Sequence, residues 1–330
     1  MVMNNSEAHP IPKRPFSWRR PGNIRFSIVA YAIIGIVMCV VIGLTLTNTA
    51  TSQTTTSSLR ANTAYPTGTY DSADASGQAP PGATALPGYT QSYVHTFTGK
   101  RLPPGWDVFI GSPGGDPNAH LASSHVVVSG GVLRLLTYRD PAFKGAWVAG
   151  GLCLCGVQQT YGAYFVRSRI TGAGPNEIQL LWPDAKVWPP EIDFNESGGV
   201  DTSSSATVHW GTANYLDQRK VNIDMTKWHT WGVIWTPKSI TFTVDGQEWG
   251  VVNLQWEIPH QAMTLHIQQQ TWCGEGRDCP TKAVSMLVNW VAEYTPNPVD
   301  SSTTTTVDWG TTTTTTPTST TTIVSGTSTN

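Results

Sequence analysis

The chain has 330 residues, a formal net charge of -2 and only 13% charged residues. That balance excludes the basic surface of a nucleic-acid-binding protein, and the length accommodates one domain of about 200 residues with appendages. Fourteen tryptophans, 31 glycines and 23 prolines in so lightly charged a chain favour an all-β protein with many turns and aromatic surfaces.

At the N-terminus, Lys13, Arg14, Arg19, Arg20 and Arg25 stand against a single acid, Glu7, before the uncharged residues 26–46. As a helix this stretch spans about 30 Å, the hydrocarbon thickness of a bilayer. The basic flank precedes it, so residues 1–25 are expected in the cytoplasm and the body of the chain outside. Signal-peptide cores run only about 7–15 apolar residues. We therefore expect a single-pass signal-anchor in the cell membrane, with secretion after cleavage near Asn48-Thr49-Ala50 as the alternative. Residues 47–88 are rich in Ser, Thr, Ala, Gly and Pro without a sustained apolar period, and read as a disordered linker.

From Tyr89 short strands alternate with turn residues. Val126-Val127-Val128 leads through Ser-Gly-Gly into residues 132–136 as a hairpin. Residues 161–170 and 177–182 alternate as strands, the second with Glu177, Gln179 and Leu181 on one face. Residues 233–235 turn into 240–244, which ends at Asp245-Gly246, a hairpin-turn pair. Residues 264–272 put His266, Gln268, Gln270 and Trp272 on one face, and residues 286–294 form the last strand. No helical stripe runs through the body, so a β-sandwich of two antiparallel sheets is expected. Residues 299–330 are dominated by threonine and read as a disordered tail. Cys39 lies in the apolar N-terminal stretch. Cys153, Cys155, Cys273 and Cys279 allow one or two disulfides, with connectivity open. A zinc site is not expected, because no histidine pair accompanies them.

One stretch carries chemistry: Trp188-Pro-Pro-Glu-Ile-Asp-Phe-Asn-Glu196. The prolines favour an extended entry, and Ile192 and Phe194 interleave the acids as in a strand. In a regular strand Glu191 and Asp193 share a face and Glu196 points away; one extra residue as a β-bulge returns it to their side. Carboxylates so close raise one another's pKa values, which holds at least one protonated, as a general acid must be. A nucleophilic carboxylate beside a protonated one is the equipment of a retaining glycosidase. The competing reading is a solvated acidic strand edge.

This stretch resembles the bulged Glu-x-Asp-x-x-Glu signature of glycoside hydrolase family 16, laminarinase type. Residues 160–167, Thr207-Val208-His209-Trp210, and Trp228-His229-Thr230-Trp231-Gly232 through Asp245-Gly246 are similar to further motifs of that family, in its order. The resemblance covers residues 89–298. It implies a concanavalin-like jelly-roll sandwich with a cleft for β-linked polysaccharide. It also implies Glu191 as nucleophile, Glu196 as acid/base and Asp193 as the assisting acid. Asn195 departs from the family, whose bulged members commonly carry Met there. Trp188 is the expected sugar-stacking platform, a core tryptophan being the alternative. His209 is expected to bond the substrate or the nucleophile, or else to be structural. Gln268, Gln270, Trp272 and Gln179 are the remaining candidates for the cleft. No cofactor is required; the family's structural calcium has no legible site. The function implied is an extracellular, membrane-tethered endo-β-glycanase, with β-1,3-glucan the first substrate and galactans open. The alternatives are an envelope-remodelling transglycosylase and a non-catalytic lectin-like surface protein.

Overall fold

The computed structural model describes residues 64–113 and 119–298. Within them two sheets face each other. The seven-stranded sheet runs, edge to edge, Tyr215–Asn222, Ser203–Trp210, Glu191–Glu196, Asn176–Pro183, Met263–Gln270, Gly151–Cys153, Asp107–Val108. The larger sheet centres on Val284–Pro296, which pairs antiparallel with Gly162–Ile170, Val132–Asp140 and Tyr89–His95. All strand pairs are antiparallel except the short edge contact of His120–Leu121 with Ala146–Ala149. This is the all-β jelly-roll sandwich expected.

Alternation does the work of placing the core. Ile192, Phe194, Val208, Leu265 and Ile267 point inward from the seven-stranded sheet and meet Tyr164, Val166, Trp231, Val233 and Phe242 from the larger one. Every one of these side chains is at most 1% exposed. Burying a side chain of this size contributes about 1.5–3 kcal/mol, so the sheets are held by many such contacts. The turns follow the local sequence. Gly130 and Gly131 both take positive φ in the hairpin between Val126–Ser129 and Val132–Asp140, as do Asp245 and Gly246 in the hairpin between Ile240–Val244 and Gln247–Val252. That is the turn geometry that asparagine, aspartate and glycine tolerate.

The outward face of the larger sheet is also apolar: Ala163, Phe165, Trp290, Ala292 and Tyr294 form a second buried cluster. Its cover comes from residues 64–88, which correct the expected linker boundary. Leu86 is buried there, and Tyr65 packs beside it. The segment carries a two-stranded ribbon, Thr69–Tyr70 with Gln78–Ala79, and offers its carbonyls to side chains of the sheet. Thr230 Oγ1 donates to Thr67 O at 2.9 Å, Trp290 Nε1 to Gln78 O at 2.9 Å and Tyr294 Oη to Gly82 O at 3.0 Å. Arg167 Nε donates to Ser76 Oγ at 2.7 Å, and Ser76 Oγ donates to Asn289 Oδ1 at 2.6 Å. A strap held by its backbone leaves no apolar period to read. Among the described residues no helix is long and apolar enough to cross a membrane; the expected anchor at 26–46 and the tail at 299–330 lie outside them.

Candidate active site

The acid strand, Glu191–Glu196, lies between Asn176–Pro183 and Ser203–Trp210. On the second neighbour Asp193 stands opposite Thr207 and Glu196 opposite Ser205, three steps against two. Against the first, Asp193 meets Leu180 and Asn195 meets Gln179, the same extra residue. The bulge therefore sits at Phe194 and Asn195, both buried inward, and returns Glu196 to the outer face with Glu191 and Asp193. Cross-strand partners share a face, so Leu180, His266, Ile178 and Gln268 belong to the same surface.

Each acid has its own support. Trp188 Nε1 donates to Glu191 Oε2 at 2.7 Å. Asn176 Nδ2 donates to Glu196 Oε1 at 2.9 Å. Asp193 Oδ2 lies 3.2 Å from His209 Nε2, while His209 Nδ1 lies 2.8 Å from Asn214 Oδ1. The Asn214 oxygen only accepts, which puts a proton on Nδ1. The 3.2 Å contact then needs a further proton between His209 and Asp193. Burial, followed by the charge of Glu196, holds the Asp193 pKa well above the carboxylate range. Burial and the charge of Asp193 also raise Glu191, against the opposing pull of His209 and the Trp188 N–H. Asp193 thus keeps its proton while Glu191, which receives the indole hydrogen bond, is the better placed to carry charge.

Under the bulge lies a polar network sealed from solvent. Ser204 Oγ accepts from the Glu196 amide at 3.0 Å and donates to Asn195 Oδ1 at 2.6 Å. Asn195 Nδ2 donates to Glu177 Oε1 at 3.3 Å, and Gln179 Nε2 donates to Ser168 Oγ at 2.6 Å. Burial raises the Glu177 pKa to about 8. Asn195, where the family commonly carries Met, is thereby explained: its amide joins the acid strand to Glu177 and Ser204.

Trp188 is 42% exposed and reaches the acids, so it is not a core tryptophan. Gln270 and Trp272 line a cavity with Glu196, and Gln268 lies on the same sheet face. One expectation is narrowed and one corrected. Of the alternatives for His209, the bond to the nucleophile is not made: its ring bonds Asp193, because the register sets it across from Glu191 while the ring reaches along the strand. Gln179 is fully buried between the sheets: it pairs with Asn195 at the bulge, and the parity of its strand turns it inward. Residues that went unforeseen complete the cavity: Asn176, Ser205, Gln218, Arg277 and Asp278. Cys273 and Cys279 are joined, as are Cys153 and Cys155. The first of these bridges closes the loop bearing Arg277, whose guanidinium lies 4.7 Å from the Trp272 ring centre. The cysteine spacing was the available signal for that loop.

Among the described residues, two groups bring three ligand-type atoms within 4.8 Å: Glu191, Asp193 and His209, and Cys153, Cys155 and His266. The second is spent in a disulfide. Neither offers the six to eight oxygens of a calcium site.

Residues 157–292 match the model of glycosyl hydrolases family 16. Over that segment the chain is similar to family 16. The chain is 32% identical over 97 residues to the endo-1,3-1,4-beta-glycanase ExsH of Rhizobium meliloti (strain 1021), covering 26% of this chain and 20% of that protein. It is 26% identical over 189 residues to a beta-glucanase of Rhodothermus marinus, covering 51% of this chain and 64% of the other. The chain thus spans less than two thirds of either curated relative. The catalytic domain of an endo-1,3-beta-glucanase (laminarinase) from Thermotoga petrophila RKU-1 superposes with a TM-score of 0.56 at 18% identity, over 64% of this chain and 99% of that one. The last likeness is one of fold: the β-sandwich here is shared with that domain.

Proposed function

We propose that the chain is an endo-β-glucanase acting on β-1,3-linked or mixed β-1,3/1,4-linked glucan with retention, held outside the membrane by residues 26–46. The observation that carries this reading is the bulge, which gathers Glu191, Asp193 and Glu196 on one open face. The family and the glucanase relatives support the substrate class.

The chemistry follows from the partners of each acid. Glu191 attacks the anomeric carbon as Glu196 gives its proton to the departing oxygen; the glycosidic C–O bond breaks and a glycosyl ester forms on Glu191. Glu196, now ionised, takes a proton from water, whose oxygen displaces Glu191 and restores both groups. Asn176 holds the acid/base and Trp188 holds the nucleophile in line. Asp193 keeps a proton beside Glu191, easing repulsion among the three acids.

The test is reducing-end release by the purified full-length protein from β-1,3-, mixed β-1,3/1,4- and galactan polymers, with Glu191→Gln alongside. Wild type is expected to cleave a glucan and the variant to lose at least about 10⁴-fold, a loss typical of removing a nucleophile. The anomeric proton of the first product, read by NMR before mutarotation, is expected in the β configuration. An α product contradicts retention. Binding without cleavage by both proteins favours a lectin-like role instead.

A further inference from the structure

At the Glu191 end of the acid strand a second groove opens, away from the cavity beside Glu196. Three connections build it: residues 187–190 before the acid strand, 210–212 after the next strand, and 256–259 on the way to Met263–Gln270. Each contributes one tryptophan: Trp188, Trp210 and Trp256. Ten large apolar side chains are exposed among the described residues, and six of them, Val187, Trp188, Tyr215, Leu216, Leu254 and Trp256, lie on or beside these connections. Such concentration at one end is not the scatter of ordinary surface residues.

One polar atom at this groove has no partner. The Trp210 indole Nε1 is buried and unbonded, although buried polar groups nearly always pair, whereas the Glu257 carboxyl beside it is engaged with Asp217. No lysine or arginine lines the groove, so nothing in its lining suits an anionic ligand or an anionic lipid surface. Flat rings with an unpaired indole N–H among them match a neutral pyranose, whose C–H face packs on an aromatic ring while a hydroxyl accepts from the indole. Continuity decides where that sugar belongs: Trp188 forms one wall of the groove and also bonds Glu191.

We propose that this groove is a second saccharide subsite, with the exposed Trp256 as its platform, gripping an uncharged β-linked glucan chain where it runs past Trp188 from the acids. The proposal rests on the glucanase reading for its choice of sugar. It adds a place for several further units that the acid strand itself does not reach.

The test titrates β-1,3-linked glucose trisaccharide and hexasaccharide into full-length protein carrying Glu191→Gln, so that nothing is consumed, with and without Trp256→Ala or Trp256→Phe. The alanine variant is expected to weaken the hexasaccharide about tenfold, the usual scale for a tryptophan anchor. The trisaccharide should be unaffected and phenylalanine should restore most of the loss. Equal hexasaccharide affinity in the alanine variant overturns the proposal, as does a hexasaccharide that does not bind. Turnover by wild type is read separately: Trp256-dependent binding without cleavage removes the hydrolase and leaves the groove.

Discussion

Trp188 does two jobs that its position in the sequence only half disclosed. A tryptophan before an acidic strand invites the reading of a stacking platform, and its ring is indeed partly open. Its N–H, however, is aimed at Glu191 at 2.7 Å, a contact that depends on the fold of the two intervening prolines and is invisible in residue order. Because this hydrogen bond favours the ionised carboxylate, it lowers a Glu191 pKa that burial otherwise raises. Trp188→Phe keeps the ring and removes the donor. The Glu191 pKa then rises further, so the acid limb of the kcat/KM profile moves to higher pH. At pH 6 the variant is expected to lose about tenfold, the worth of one hydrogen bond to a charged group. A pH–rate profile whose acid limb stays in place would show that the indole only stacks. The same logic explains why the three acids were legible while Asn176 and Gln218 were not: paired carboxylates have a chemical signature, whereas a lone amide has none until the register sets it beside one.

At the scale of the element, the acid strand is held in its bulged form from beneath. A sequence shows that a bulge is needed to bring Glu196 round, because strand parity is arithmetic; it does not show what fills the space behind. Here that space holds Asn195, Ser204 and Glu177 in place of an apolar plug. Glu177 is raised from about 4.5 to about 8 by burial, so between those values the folded protein holds a proton that the unfolded chain releases. Stability from this group is therefore complete below about pH 4.5 and falls as pH climbs towards 8. Glu177→Gln keeps the carbonyl acceptor and abolishes the titration. Its melting temperature is expected to exceed that of wild type at pH 8 by more than at pH 5. Some decline with pH persists in the variant, because Glu293, also buried and raised to about 8, contributes a slope of the same sign. Parallel melting curves for the two proteins across this range would mean that Glu177 is not the buried acid described. The edge strand Tyr215–Asn222 illustrates the opposite limit of legibility. Its burial alternates, but the less exposed positions are Asp217 and Arg219 as well as Val221, while Tyr215 and Leu216 are exposed, so no apolar alternation marks it in the sequence.

For the whole molecule, the strap of residues 64–88 decides where the domain begins. Composition assigns it to a linker, since Ser, Gly and Pro leave no period and no local signal of burial. Yet Leu86 and Tyr65 close the outward cluster around Phe165, Trp290 and Tyr294, and that cluster lies on Gly162–Ile170 and Val284–Pro296, the strands at the heart of the larger sheet. A chain beginning at residue 89 exposes those aromatics and strips Arg167, which is 6% exposed, of its bond to Ser76. Several aromatic side chains returned to water together cost several kcal/mol, on the order of half the stability of an ordinary domain. We expect protein beginning at residue 64 to melt cooperatively. Protein beginning at residue 89 should melt at least about 10 °C lower and bind a hydrophobic dye. Both can be measured in one thermal series, with glucan cleavage assayed at 20 °C on each. The acids sit on the opposite sheet, so surviving cleavage in the shorter form would be compatible with this account. Equal melting temperatures would not be, and would return residues 64–88 to the linker that their composition describes.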